Sequence, residues 1–339
     1  MKAVGIRSFG DVKVLEEMDL PLPTPGRHEV RIRLHAVGFN PVDCKIRSGA
    51  IPDIELPRIL GCDCSGVIDA VGDPLGEFRV GDEVMAFSFS NGTYAEAVVL
   101  PSDLVVKKPK TLSFEQAAAI PLVGLTAFQA LIASRALQEG KPLFIAGGTG
   151  GVGSIAISMA QVYGAGPIFT TAGDEKGAAH LMERYGIPKK HILLYKGLSL
   201  EEMTERLFAM NSHKGFATCF DCVGKEMKKL CVAVAGYEGH LVTIVPEGPN
   251  FPIELWERGK SVGFAKNLSI HFVYTGWAPT TAIYKGQLKA LLTLIERGLK
   301  IPEVEVVGPF RVETVRAAHR RIEEGSAHNK LVISFSKGV

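Results

Sequence analysis

FIAGGTGGVG, residues 144–153, is the stretch that decides how this chain folds. It carries G-x-G-x-x-G at Gly148, Gly150 and Gly153. With 37 glycines in 339 residues such a pattern can arise by chance, so its setting matters more than its letters. The apolar run PLFIA (142–146) precedes it and reads as a buried strand. SIAISMAQVYG (154–164) follows as a helix, and PIFTT (167–171) as a second strand. A glycine loop joining strand to helix inside a βαβ unit of roughly 30 residues is the context in which the motif holds a dinucleotide. Glycine is needed there for a tight turn, for close approach of backbone to a pyrophosphate, and for helix–strand packing. The N–H groups and dipole at the helix start then favour phosphate. The expected pyrophosphate contacts are Gly148, Thr149, Gly150, Gly151, Val152 and Gly153.

The next strand points to the cofactor. An NAD site usually places Asp or Glu about 20 residues beyond the motif, on the ribose 2′-OH. Here Thr171 stands at that strand end, with Lys176 close behind. A hydroxyl and an ammonium in place of a carboxylate suit a 2′-phosphate, and a hydrogen bond to a charged group is worth about 1.5–3 kcal/mol. NADPH is therefore expected over NADH, although Asp174 could swing toward the ribose.

Beyond the loop, apolar strands and helices keep alternating. A helix from about Glu175 to Tyr185 leads to HILLY (191–195), then come a helix near Leu200–Met210 and the strands FATCFDCV (216–223) and HLVTIV (240–245). This alternation implies a parallel sheet covered on both faces. Residues 1–120 differ, with short β-like runs such as EVRIRLHAVGF (29–39) and EAVVLPSDLVVK (96–107) broken by turn residues. MKAVGIRSFGDVKV reads as strand, turn at Gly10 and strand, with no apolar signal-peptide core. Leu112–Ala136 reads as helical, opened by a capping box at Ser113 and Gln116. The tail offers two amphipathic helices, GQLKALLTLIERG (286–298) and VETVRAAHRRIEEG (312–325), and a closing strand, KLVISF (330–335).

A net charge of +2 and scattered basic residues argue against a nucleic-acid partner. The densest basic run, Lys107–Lys110, reads as a solvated loop. No segment reaches the roughly 18 apolar residues of a membrane helix. The six cysteines are too sparse for a disulfide framework. Reduced thiols and a cytoplasmic location are expected.

These segments together resemble the medium-chain dehydrogenase/reductases, in the zinc-free quinone oxidoreductase branch. The resemblance rests on GFNPVDCKIRSG (38–49), LPRILGCDCSGVIDAVG (56–72), VGDEV (80–84), AAAIPLVGLTAFQAL (117–131), AGGTGGVG (146–153), FDCVG (220–224) and KLVISF. It spans nearly the whole chain. It implies an α/β architecture in which a GroES-like β-rich catalytic domain (residues 1–121) is interrupted by a Rossmann domain, a doubly wound parallel sheet (122–275). Residues 276–339 would return to the catalytic domain, with the active site in the cleft between domains. It also implies that Thr126 lies near the nicotinamide or phosphates and that Lys176 and Tyr195 surround the 2′-phosphate and adenine. Val223 and Gly224 would lie beside the adenine ribose, Val245 and Phe272 would flank the nicotinamide, and Lys330 would be a C-terminal cofactor contact. Gly173 departs from the pattern, since many relatives have Ser there. A homodimer is implied, pairing edge to edge through NLSIHFVYTG (267–276), which would also cover an exposed strand edge.

The alcohol-dehydrogenase branch holds catalytic zinc with Cys, a His–Glu pair and a later Cys or Asp. Here those positions carry Asn40, Cys62–Asp63 and the ligand-poor PLVGLT (121–126). A catalytic zinc needs three protein ligands, so no metal is expected. In C-x-C, Cys62 and Cys64 would share one strand face, and Cys219 and Cys222 would point apart. Without a metal to lower an alcohol's pKa, the easier task is hydride transfer to a quinone or conjugated carbonyl, whose product anion is delocalised. Asn40, Lys45 and Asp63 are the catalytic candidates, with Asn40 also touching cofactor. Asn40 would donate its amide N–H to the acceptor oxygen, Lys45 would donate or relay a proton, and Asp63 could equally serve loop geometry. Asp43 would orient Arg47 or backbone. The alternatives are an enoyl or 2-alkenal reductase on the same scaffold, a zinc-type alcohol dehydrogenase, and a non-catalytic NADPH-binding protein.

Overall fold

The computed structural model describes residues 1–72, 76–247, 256–257, 260–276, 280–327 and 329–335. The chain divides into two compact units: Met1–Leu122 with Ala278–Leu292 and Ile301–Val339, and Val123–Trp277 with Thr293–Lys300. The tail thus does not return whole to the first unit. Residues 293–300 belong with the second, where the Lys300 N–H donates to Ser158 Oγ (2.7 Å).

The second unit is built on six parallel strands in the spatial order Ile192–Leu194, Ile168–Ala172, Leu143–Ala146, Phe216–Asp221, Ala235–Thr243 and Ser269–Phe272. Numbered along the chain this is 3-2-1-4-5-6, the doubly wound nucleotide-binding order. Phe144, Phe169, Phe216 and Leu230 share its buried core. The order reverses beside Leu143–Ala146, so the strand-end loops at 147–150 and 222–224 meet at the switch point where ligands bind in such sheets. The following helix runs Gly151–Val162, starting three residues earlier than the composition suggests, so the motif's own glycines form its first turn. Asp174 caps Glu175–Tyr185 and Ser199 caps Leu200–Met210. Cys222 lies beyond the end of its strand, so strand alternation does not orient it against Cys219.

The first unit is β-rich. Its central strand, Glu29–Gly38, pairs along one side with Asp63–Val71. Its other side is shared between Ala97–Pro101 and the C-terminal strand Lys330–Ser334, both antiparallel. Two registers matter for the site: Gly38 faces Asp63, and Val332 faces Gly38. A Cβ on Gly38 would lie 2.4 Å from the Ala118 carbonyl oxygen, so only glycine lets the Phe114–Ala118 helix lie this close over the sheet.

Three local expectations are corrected. After Lys2–Ile6 the chain forms a 3-10 turn at Val12–Val14, and the second strand begins only at Glu16. The helical stretch after Ser113 is broken into Phe114–Ala118 and Pro121–Phe128, continued by a π-helical turn at Gln129–Ala133. Pro121, which lacks an N–H and clashes with the preceding turn, opens the second piece. Lys108 is not solvated: its ammonium is buried on the Leu112 carbonyl (2.6 Å) and pairs with Glu83 (3.0 Å). Among the described residues no helix is long and apolar enough to cross a membrane.

Candidate active site

The glycine loop of the second unit fits a pyrophosphate. Gly147 turns at φ +87°, and a Cβ on Gly153 would stand 2.1 Å from the Gly147 carbonyl oxygen, so the helix start is packed onto the turn. A Cβ on Gly148 would meet Thr170 Oγ1 at 2.1 Å. The Gly150 N–H bonds the Gly147 carbonyl (3.0 Å). Gly151, Val152 and Gly153 are the first helical residues, whose N–H groups have no partner within a helix and serve anions.

Thr171 supports the loop. It is buried, and its Oγ1 accepts the Gly147 N–H at 2.9 Å beneath the loop. The Asp174 carboxylate is engaged in capping, taking the Gly177 N–H at 2.8 Å, rather than turned to the ribose. Around Gly173 the structure gathers Lys196, whose Nζ lies 3.5 Å from a Cβ built there, and Tyr195, whose hydroxyl lies 3.6 Å from it. Lys176 is exposed on the first turn of the next helix. Lys196 was missed by sequence reasoning, although its adjacency to Tyr195 was a usable signal.

The strand-end loop at Val223 and Gly224 is held by Asp221, whose Oδ1 accepts both of their N–H groups (3.0 and 2.7 Å). Its Oδ2 accepts from Thr243 Oγ1 (2.8 Å). Lys228 is buried there and donates to the Val245 carbonyl (2.6 Å). Neither Asp221 nor Lys228 was singled out from the sequence. Thr126 Oγ1 lies 2.9 Å from Thr275 Oγ1. Phe272 ends the edge strand Ser269–Phe272 and is 66% exposed.

In the first unit the sheet register gathers three of the predicted residues. Because Gly38 faces Val332, continuing two residues along that antiparallel pairing brings Asn40 opposite Lys330, and Asp63 stands across from Gly38, two residues before Asn40. Asn40 Nδ2 donates to Asp63 Oδ2 (2.9 Å), and Lys330 Nζ donates to Asn40 Oδ1 and to the Phe39 carbonyl (2.8 Å). Lys330 Nζ also lies 3.5 Å from Asp63 Oδ2, while Asp63 Oδ1 accepts the Leu122 N–H (2.7 Å). All three side chains are buried. Burial pushes the Asp63 carboxyl up and the Lys330 ammonium down, and each stabilises the other's charge. The Lys330 ammonium is turned onto Phe39, Asn40 and Asp63. Lys45, half-buried on Pro41–Ser48, takes no part in these contacts.

Behind Asn40 runs a second buried network. Asp43 Oδ2 accepts the Asn40 backbone N–H (2.8 Å) and the Tyr94 hydroxyl (2.9 Å). Tyr94 also meets His319 Nε2 (3.3 Å), and Arg47 meets His319 Nδ1 (3.3 Å). Asp43 therefore orients backbone but not Arg47, whose guanidinium bonds Glu323 instead. Burial raises the Asp43 carboxyl to about 6 and lowers His319 to about 3.

Zinc does not fit this donor set. Cys62 is buried, and burial beside Asp43 and Asp63 raises its thiol pKa. The Asn40 and Asp63 oxygens already bind an ammonium, whose charge repels a second cation. Among the described residues no three His, Cys, Asp or Glu side chains form a metal-binding group.

Residues 26–110 match the alcohol dehydrogenase GroES-like domain and residues 200–333 the zinc-binding dehydrogenase family. A zinc-type alcohol dehydrogenase-like protein of Staphylococcus epidermidis is 31% identical over 99% of this chain and all of its own length. Human quinone oxidoreductase is 41% identical over 52% of this chain and 54% of its own, so that match spans about half of each protein. Among solved structures, an NAD-dependent alcohol dehydrogenase aligns at a TM-score of 0.84 with 30% identity, over 98% of this chain and 99% of that one. A mycobacterial protein solved with NADPH aligns at 0.82 with 25% identity over the same shares. The chain belongs to the medium-chain dehydrogenase/reductase superfamily, in its quinone oxidoreductase branch. Its first unit is accordingly GroES-like and its second a Rossmann fold binding a nicotinamide cofactor.

Proposed function

We propose that this protein is an NADPH-dependent oxidoreductase that transfers hydride to a quinone or other conjugated carbonyl without zinc. The observation that carries this reading is the buried Asn40–Asp63–Lys330 cluster, in which Asn40, standing where the zinc branch has a Cys ligand, is bonded to an ammonium and a carboxylate. The bound nicotinamide supplies the hydride. The protein's part is to hold the acceptor and stabilise the oxyanion that develops on it. Asn40 is assigned the donor to that oxygen, Asp63 the support of Asn40, and Lys45 a proton source at the product oxygen. The Gly148–Gly153 turn holds the pyrophosphate, with Val223 and Gly224 beside the ribose and Thr126, Val245 and Phe272 toward the nicotinamide.

The finer choice of NADPH over NADH rests on Lys196 and Tyr195 beside Gly173, with Lys176 exposed on the first turn of the next helix. Self-association through the Ser269–Phe272 edge is part of the same reading. Ile270, Phe272 and Tyr274 are exposed along it, and open strand edges with apolar side chains favour pairing. Light scattering should then give twice the chain mass, and a monomer at working concentration would exclude this assembly.

An acceptor panel run with NADPH and NADH in parallel tests the activity. The expected result is rapid NADPH oxidation by 1,2-naphthoquinone and no alcohol oxidation with NADP. Faster turnover of enones would move the assignment to the enoyl or 2-alkenal reductases. Zinc-dependent alcohol oxidation would overturn it, as would tight NADPH binding without turnover of any acceptor.

A further inference from the structure

The hydrogen bonds at Asn40 decide something the residue's identity leaves open, namely which end of its amide faces which way. A lysine ammonium has three donors and no acceptor, and an ionised carboxylate only accepts. Lys330 Nζ faces Asn40 Oδ1, the Phe39 carbonyl and Asp63 Oδ2, three acceptors for three N–H bonds. Asp63 Oδ2 in turn faces Asn40 Nδ2 at 2.9 Å. Flipping the amide would set NH₂ against ammonium and oxygen against carboxylate at two buried contacts at once. Each such mismatch leaves a desolvated polar group unsatisfied. One N–H of Asn40 is thereby given to Asp63, and the other is left for a further acceptor.

We propose that Lys330 is a positioning residue: its ammonium locks the Asn40 amide so that the second N–H is presented to the oxygen of the hydride acceptor. The proposal rests on Asn40 being the group that polarises that oxygen. Lys330 acts through Asn40 and through Asp63, which it pairs with so that the carboxylate stays an acceptor. Removing it takes away one of the two contacts that oppose a flip, so flipped amides that turn oxygen toward the substrate and repel the developing charge become more populated. The loss should fall on kcat rather than on cofactor affinity, because the interaction strengthens as negative charge develops.

The test measures kcat and KM with 1,2-naphthoquinone, and NADPH Kd by fluorescence, in Asn40→Ala, Lys330→Met, Lys330→Arg and the double variant Asp63→Asn/Lys330→Met. Losing one oxyanion donor costs about 10²–10³ in kcat. Lys330→Met should fall by about 10- to 100-fold in kcat with NADPH Kd within about 2-fold of wild type. Lys330→Arg, which also only donates, should recover much of that. The double variant removes both charges together and so avoids an uncompensated buried ion. It serves where the single variant fails to fold, and retained NADPH binding identifies the folded variants. If Asn40→Ala keeps wild-type kcat, the reading of Asn40 falls and this inference with it. If Asn40→Ala is impaired while a folded Lys330→Met or double variant turns over normally, this inference alone is overturned. A raised NADPH Kd with unchanged kcat in Lys330→Met would likewise overturn it and make Lys330 a cofactor contact.

Discussion

Replacing Tyr94 with Phe removes one oxygen from a buried site and should produce a stability loss that depends on pH. The Tyr94 hydroxyl donates to Asp43 Oδ2 at 2.9 Å and meets His319 Nε2 at 3.3 Å, and all three residues are buried. Asp43 also faces Cys62 and Asp63, and neither brings a positive charge. Folding raises its carboxyl from 3.8 to about 6 because burial outweighs the donors around it. The protonated form is therefore favoured in the folded state. Below pH 4 it is present in both folded and unfolded chains. As pH climbs through about 6, holding the ionised carboxylate costs about 3 kcal/mol, since each tenfold change in proton affinity is worth about 1.4 kcal/mol. Tyr94 offsets part of that cost. A hydrogen bond to a charged acceptor is worth about 1.5–3 kcal/mol, and one to a neutral acceptor about 1 kcal/mol. Tyr94→Phe should thus destabilise by about 2 kcal/mol at pH 8, roughly 3 °C in Tm for a chain of this size, and by about half that near pH 4.5. Thermal melts of both proteins across that range, checked by urea unfolding, measure the difference. Equal losses at the two pH values, or a larger loss at the acid end, would refute the account of Asp43 as an ionised carboxylate leaning on Tyr94.

Other changes are read from single contacts. Gly153→Ala puts a methyl group 2.1 Å from the Gly147 carbonyl oxygen, so the loop must shift, and NADPH Kd should rise at least about 10-fold by fluorescence titration. Lys196→Ala should raise KM for NADPH by about 10-fold while leaving KM for NADH unchanged, and equal changes for both would remove Lys196 from the 2′-phosphate site. Lys108→Met strands the Leu112 carbonyl and leaves Glu83 without its partner. It should cost about 1–3 kcal/mol of stability in urea without altering turnover. Ser113→Ala removes the cap on Phe114–Ala118 and should cost about 1 kcal/mol.

Much of this protein is written in short-range signals. The glycine loop, the alternation of apolar strands and helices, the cap at Ser113 and the end of the Glu175–Tyr185 helix depend on φ preferences and periodicities within a few residues, and a sequence displays these directly. The absence of zinc ligands at Asn40 and in PLVGLT is equally legible, because a missing side-chain type needs no coordinates. What the sequence does not display is which buried polar groups meet. Lys330 and Asn40 are 290 residues apart, and only the antiparallel register through Gly38 and Val332 sets them in contact. The same holds for Tyr94 with Asp43, and for Lys108, whose charged neighbours in the chain suggest solvent while its ammonium lies on a buried carbonyl. Thr171 shows the limit within a single motif. Its place at the strand end was evident, but its hydroxyl is drawn under the loop by the Gly147 N–H. Sequence by itself determined the fold class and the need for a dinucleotide. Tertiary structure alone decided that the Lys330 ammonium is buried against Asn40 and Asp63, because a buried charge must find its partner through space rather than along the chain.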